Sequence, residues 1–232
     1  MNDADYTTRD APALPPVLPG AAAWAGVIAA AGIVTGVLYL FDSPISSAAR
    51  GVRLGGDVTK ELTALQQYGQ FSLSLACAAA IALLDRARWR RLLDWLLAAV
   101  VTEAVVYLLA SIIGRARPGV TIPEARSFFG GYDLLSMPSR HAALAGVMSA
   151  FLCVMYPRLL PLAAVMAVIV CAARVLNGAH YPSDTAAGLT IGVLISLVCA
   201  RKLLGVRLLD WVWVRLVDRD ARPAWPSLVD RC

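Results

Sequence analysis

The 232-residue sequence predicts an all-α membrane protein, a six-transmembrane-helix bundle. Three observations carry that prediction. Hydrophobic residues make up 59% of the chain and charged residues 16%, against roughly 45–50% and about 25% in soluble domains. The apolar residues gather into six runs, and ~20 such residues are what a helix needs to cross a bilayer. The basic residues cluster between runs with a bias to one side, as orientation by positive charge requires.

Residues 1–20 carry Asp3, Asp5, Asp10 and four prolines and read as a flexible tail, too polar to order itself. The run from Ala21 to Phe41 is longer than a signal core and lacks a basic lead, so it is expected to stay as an anchor. Further runs cover 65–84, 92–113, 141–156, 159–178 and 185–204, the fourth being the shortest. Lipid supplies no partners for backbone groups, so each run must be helical. Residues 21–204 thus form the six-span domain. In 203–218, leucines alternate with Trp211, Trp213, Arg207 and Arg215, which suits either a helix lying in the headgroup region or an extension of the sixth span. Residues 205–232 are read as a cytoplasmic amphipathic tail.

The connection 85–91 holds four arginines and the chain after residue 200 holds seven Lys or Arg. Both fall on one side of a six-span stack whose two termini are cytoplasmic, giving thirteen basic residues inside and eight outside. The net charge of +5 is therefore read as orientation in a bacterial inner membrane, with no nucleic-acid partner. Cys77, Cys153, Cys171, Cys199 and Cys232 contain no Cys-x-x-Cys pair and imply neither a disulfide framework nor a metal site. Oligomeric state is not legible.

The outer side collects the chemistry. It carries Gly114-Arg115-Ala116-Arg117-Pro118, Met137-Pro138-Ser139-Arg140-His141, and the stretch from Arg174 through His180 to Asp184. The only two histidines of the chain are among these residues. Individually, each residue has a plain alternative: interfacial histidines, headgroup-anchoring arginines, Asp184 as a helix cap. Together they describe an anion site at the outer ends of spans three to six. Pro138-Ser139-Arg140-His141 stands where a helix begins, so backbone N–H groups and the helix dipole face any phosphate. Ser139 either caps that helix or donates to the same anion. Arg117 and Arg174 end spans at the same face, and their forked guanidinium groups match phosphate oxygens. Asp184, four residues after His180, is placed to bond one imidazole nitrogen and present the other as a nucleophile.

The pattern Arg-Pro, Pro-Ser-x-His and Arg-x5-His-x3-Asp resembles the type-2 phosphatidic acid phosphatase and haloperoxidase superfamily, in particular its membrane-bound lipid phosphatase branch. The motifs span about 114–188. The resemblance implies that His180 attacks phosphorus to give a phosphohistidine, that Asp184 orients it, and that His141 protonates the leaving oxygen and then activates water. It implies that Arg117, Ser139 and Arg174 hold the phosphoryl oxygens, with no metal or other cofactor.

Two departures stand out. The family's first motif opens on a lysine seven residues before its last arginine, where this chain has Ala110. Arg140 replaces the glycine of Pro-Ser-Gly-His. Arg140, or else Arg115, is expected to restore the lost charge; alternatively Arg140 points to solvent or headgroups, or the site is degenerate. Glu103 lies seven residues before Ala110, on nearly the same face and ~10 Å deeper. At that depth it is a functional candidate, or a protonated acid bonded to Gln66, Gln67 or Gln70.

The expected protein is an integral membrane lipid phosphatase whose site faces the periplasm, cleaving a phosphomonoester or pyrophosphate of a lipid. Undecaprenyl pyrophosphate, phosphatidylglycerol phosphate, phosphatidic acid and lipid A phosphates all present a suitable group. A lipid phosphotransferase using the same intermediate, and a non-catalytic binder or transporter of anionic headgroups, are the alternatives.

Overall fold

A computed structural model describes residues 21–52, 54–85, 89–120 and 134–216. Eight α-helices follow in order: α1 Ala21–Gly51, α2 Gly56–Leu65, α3 Phe71–Leu84, α4 Leu92–Ile113, α5 Arg140–Met155, α6 Leu160–Leu176, α7 Pro182–Lys202 and α8 Leu204–Leu216. Short 3-10 turns at Gln66–Gly69, Trp89–Arg91 and Pro157–Leu159 introduce α3, α4 and α6. Among the described residues there is no strand, only an isolated bridge between Ala116 and Leu135.

Six of the helices coincide with the predicted runs. Four are long and apolar enough to cross a membrane: Ala22–Gly51, Trp89–Ile113, Pro157–Leu176 and Pro182–Lys202. The apolar helices Phe71–Ile81 and Arg140–Met155 are shorter. The second run is cut because Gln70 is extended (φ −104°, ψ 147°), which ends the preceding turn before α3 starts. The fourth stops at Tyr156, ahead of Pro157, so its 16 residues span ~24 Å, less than the ~30 Å hydrocarbon core.

Other boundaries moved as well. α1 runs ten residues past Phe41, through Pro44, so the expected outer connection 42–64 is largely helical. α7 starts at Pro182 because proline suits the first helical position and a capping box joins Tyr181 to Asp184. Leu203, at φ 54°, breaks the chain between α7 and α8, which excludes a simple extension of the sixth span. Asp94 of α4 then caps α8, accepting the Gly205 and Val206 N–H groups at 2.8 and 3.3 Å. Residues 1–20, residues 121–133 with Arg126, and residues 217–232 lie outside the described residues, and with them the expected flexible tail.

α5 is the central helix: every residue from Ala142 to Phe151 is buried. It packs most tightly against α7, through glycines. A methyl carbon on Gly192 would overlap the Ala143 carbonyl oxygen, one on Gly188 the Ser139 carbonyl oxygen, and one on Gly146 would sit 2.6 Å from Leu189 O. Backbone thus meets backbone at the crossing, which fixes the starts of α5 and α7 against each other.

Candidate active site

Three segments meet where α4 ends and α5 and α7 begin. Gly114, left-handed at φ 64°, terminates α4 and turns the chain into 115–117. That stretch pairs with 134–136: Arg117 N–H donates to Leu134 O at 3.1 Å and Ser136 N–H to Arg115 O at 2.8 Å. Arg115 and Arg117 nonetheless meet different partners, Arg115 the carboxylates of Asp42 and Asp184 and Arg117 the Leu135 carbonyl. The third segment ends α6 with Gly178 at φ 65°, and the Ala179 and His180 N–H groups donate back to Arg174 O.

A cavity of ≈ 80 Å³ opens between these segments, several times the ~10–15 Å³ that one water needs. Arg117, Arg140, His141 and His180 supply its polar wall, and Ala110, Leu135 and Pro138 the rest. Four of the eight sequence-predicted residues therefore share one pocket. Among the described residues no carboxylate lines it, and its charged side chains, Arg117 and Arg140, are cationic. Ala110, where the resemblance calls for a lysine, forms part of the wall.

His180 is 3% exposed. Its Nδ1 lies 2.7 Å from Ser136 O; a carbonyl can only accept, so Nδ1 carries the proton and Nε2 keeps its lone pair. Burial, reinforced by the nearby Arg174 and Arg117, pushes the imidazole below its ordinary pKa, while Asp184 opposes the shift. The ring is thus held neutral, as a nucleophile requires.

Asp184 is not the direct hydrogen-bond partner expected of it. Its Oδ2 stands 3.8 Å from His180 Nδ1, too far for a hydrogen bond, and the Ser136 carbonyl takes that place. Asp184 instead accepts the Tyr181 N–H at 2.7 Å, the Ser136 hydroxyl, and Arg115 at 2.8 Å. It acts on His180 through space and by holding Ser136.

Arg115 also departs from the reading that gave it to the phosphate. One guanidinium nitrogen meets Asp184 and Ser183 at 2.8 Å each, and the other meets Asp42 at 2.7 Å. Its guanidinium carbon lies over the rings of Tyr39 and Tyr181, 4.8 and 4.1 Å from their centroids. Two carboxylates, Asp42 of α1 and Asp184 of α7, hold it away from the pocket lining.

Ser139 is fully buried and caps α5 without a side-chain bond; its N–H goes to Asp184 O at 2.9 Å and its hydroxyl has no partner among the described residues. Arg174 reaches Gln66 Oε1 at 3.5 Å. His141 Nε2 is 3.3 Å from the Gln70 side-chain amide, and Gly69 permits the approach, since a side chain there would overlap His141 O. Arg140 Nε reaches the Glu103 carboxylate at 2.8 Å. Glu103 is therefore paired with an arginine of the pocket and not with the glutamines.

Sequence reasoning missed Ser136 and Asp42, and offered Gln70 to Glu103 where the structure gives it to His141. Asp42 left one usable signal, an acidic residue just after an apolar run. Ser136 acts through its backbone carbonyl, which no side-chain pattern reveals.

A family model for the PAP2 superfamily matches residues 91–206. A lipid A 1-phosphatase of Rhizobium etli is 30% identical over 184 residues, 70% of this chain and 77% of that protein. A second, from Rhizobium johnstonii, is 36% identical over 97 residues, and the match spans 40% of each chain. A decaprenylphosphoryl-5-phosphoribose phosphatase of Mycobacterium tuberculosis is 33% identical over 140 residues, 58% of this chain and 74% of that one. In fold, the chain resembles the crystal structure of a transmembrane PAP2-type phosphatidylglycerolphosphate phosphatase from Bacillus subtilis, with a TM-score of 0.59 and 24% identity over 83% of this chain and 98% of that one.

Proposed function

We propose, from the premise that this chain belongs to the PAP2 superfamily, that it is an integral membrane lipid phosphatase working through a phosphohistidine. The observation that carries this reading is the His180 tautomer. Nδ1–H is committed to Ser136 O, so the Nε2 lone pair is left for a pocket whose charged wall is cationic. A phosphate monoester or pyrophosphate brings the matching charge.

Nε2 of His180 attacks phosphorus while the bond to the leaving oxygen breaks, and His141 gives that oxygen a proton. His141 then takes a proton from water, the water oxygen attacks phosphorus, the P–N bond breaks and phosphate leaves. As the P–N bond forms, the imidazole becomes cationic; Ser136 O and the Asp184 charge stabilise it. Arg117, Arg140, Arg174 and the Ser139 hydroxyl hold the phosphoryl oxygens and balance the transition-state charge. Because arginines supply that countercharge, no metal ion is required. The relatives named for lipid A and for decaprenylphosphoryl-phosphoribose support a lipid substrate, and the apolar helices around the pocket suit one whose chains stay in the bilayer. We place the pocket on the periplasmic face of a bacterial inner membrane.

Phosphate release in detergent from phosphatidic acid, phosphatidylglycerol phosphate, undecaprenyl pyrophosphate and lipid A tests this, with the His180→Ala protein as blank. Turnover that survives EDTA, stops with vanadate and vanishes in the variant is expected. Equal turnover by the variant, or strict dependence on added magnesium, refutes the mechanism.

A further inference from the structure

We infer that Asp42, on the first helix, is a positioning residue for this reaction: through Arg115 and Ser183 it holds the Asp184–Ser136 unit that aims His180. The inference rests on His180 being the nucleophile.

Asp42 is 2% exposed. One carboxylate oxygen accepts the Ser183 N–H at 2.9 Å; the other accepts the Ser183 hydroxyl and Arg115 at 2.7 Å. Ser183 is the second residue of α7, so its N–H lacks an acceptor within the helix. Asp42 therefore caps α7 from a different helix. Arg115 passes the restraint to Asp184, whose Oδ2 binds the Ser136 hydroxyl, and the Ser136 carbonyl holds His180 Nδ1. The result is an unbroken chain of bonds from α1 to the reacting imidazole.

The charges matter as much as the bonds. Two carboxylates share one guanidinium, so the cluster keeps one net negative charge beside a ring that turns cationic as phosphorus is attacked. Without the Asp42 charge, Arg115 would neutralise Asp184, and the attack would lose its stabilising counterion. Asp42 also explains how α1 is attached. In the first two-thirds of α1, from Ala22 to Phe41, no residue is buried; Asp42, Ser46 and Ala49, spaced along one helical face, are. The helix docks through the turn that carries the carboxylate.

The experiment compares wild type, Asp42→Asn, Arg115→Met, the double variant and His180→Ala. Turnover is measured on short-chain phosphatidic acid in detergent, or on whichever lipid of the panel the wild type cleaves fastest, and thermal melting confirms folding. Asp42→Asn is expected to lower kcat on the order of 10–100-fold with KM unchanged, by analogy with the loss of the partner that orients a metal-bound histidine. Because the two residues act as one unit, the double variant should be no slower than Arg115→Met alone. Folded Asp42→Asn with wild-type kcat, a change in KM alone, or multiplicative losses in the double variant would overturn the inference. If Asp42→Asn does not fold, Asp42→Glu replaces it: one methylene longer, it keeps the charge but not both contacts, and the same fall in kcat at constant KM decides. An active His180→Ala protein condemns the phosphohistidine reading itself, whereas an inactive one beside a fully active Asp42→Asn condemns only the role of Asp42.

Discussion

Replacing Gly188 by alanine should damage catalysis more than stability, through one contact between helices. The new methyl carbon would overlap the Ser139 carbonyl oxygen and lie 3.1 Å from the N and C atoms of the same residue. Ordinary carbon contacts begin near 3.5 Å, so α5 and α7 must part by on the order of 1 Å at that level. Neither helix can yield by rotating a side chain, because both contacting groups are backbone. Ser139 opens α5, its N–H is tied to Asp184 O on α7, and its free hydroxyl faces the phosphate in the proposed mechanism. A displacement of ~1 Å in a reacting geometry costs about 10²-fold in rate, or ~2.7 kcal/mol of barrier. Overpacking itself costs ~1–3 kcal/mol of stability. Gly146→Ala, which strains the same helix pair against Leu189 O, serves as the control: it carries the packing penalty about two turns along α5 from Ser139, so its effect on turnover should be the smaller. Lipid phosphate release and thermal melting on both variants check the claim. Wild-type turnover by Gly188→Ala, or equal loss of turnover in both variants, refutes it.

Arg140→Gly should lower kcat/KM by ~10²-fold, the low end for a lost transition-state donor, because Arg140 is half-exposed and partly neutralised by Glu103; unchanged catalysis would show that the site works without the charge missing at Ala110. His180 reacts only when neutral, and its pKa is depressed by burial and the arginines, so the acid limb of the kcat/KM profile should fall below the ordinary imidazole value of ~6.5. A limb at or above that value would contradict the assignment. Asp94→Ala should cost about 3–5 kcal/mol, because it leaves Arg91 buried without the carboxylate it meets at 2.9 Å and also uncaps α8; a melting temperature within a degree of wild type would remove the argument.

How much was legible depended on the kind of residue. His141, His180, Arg117 and Arg140 could be picked out because charged side chains at the ends of apolar runs are costly and few, and the structure gathers these four into one pocket. Arg115 looked the same in the sequence and was misplaced, since the carboxylates that claim it, Asp184 and Asp42, lie 69 and 73 residues away in the chain. Glu103 was seen as unusual but given the wrong partners: Arg140 lies 37 residues away in the chain.

The sequence alone determined the helical class, the approximate placing of six apolar helices, and the chemistry available at one end of the bundle. Those follow from local causes: hydropathy over ~20 residues, backbone preference, and the cost of a charge in lipid. Only the tertiary structure decided that two of the apolar helices are short, that α1 docks through Asp42, and that a backbone carbonyl, not Asp184, holds the His180 proton. These depend on contacts across as many as 141 residues of chain and on backbone atoms every residue shares, so no local pattern records them.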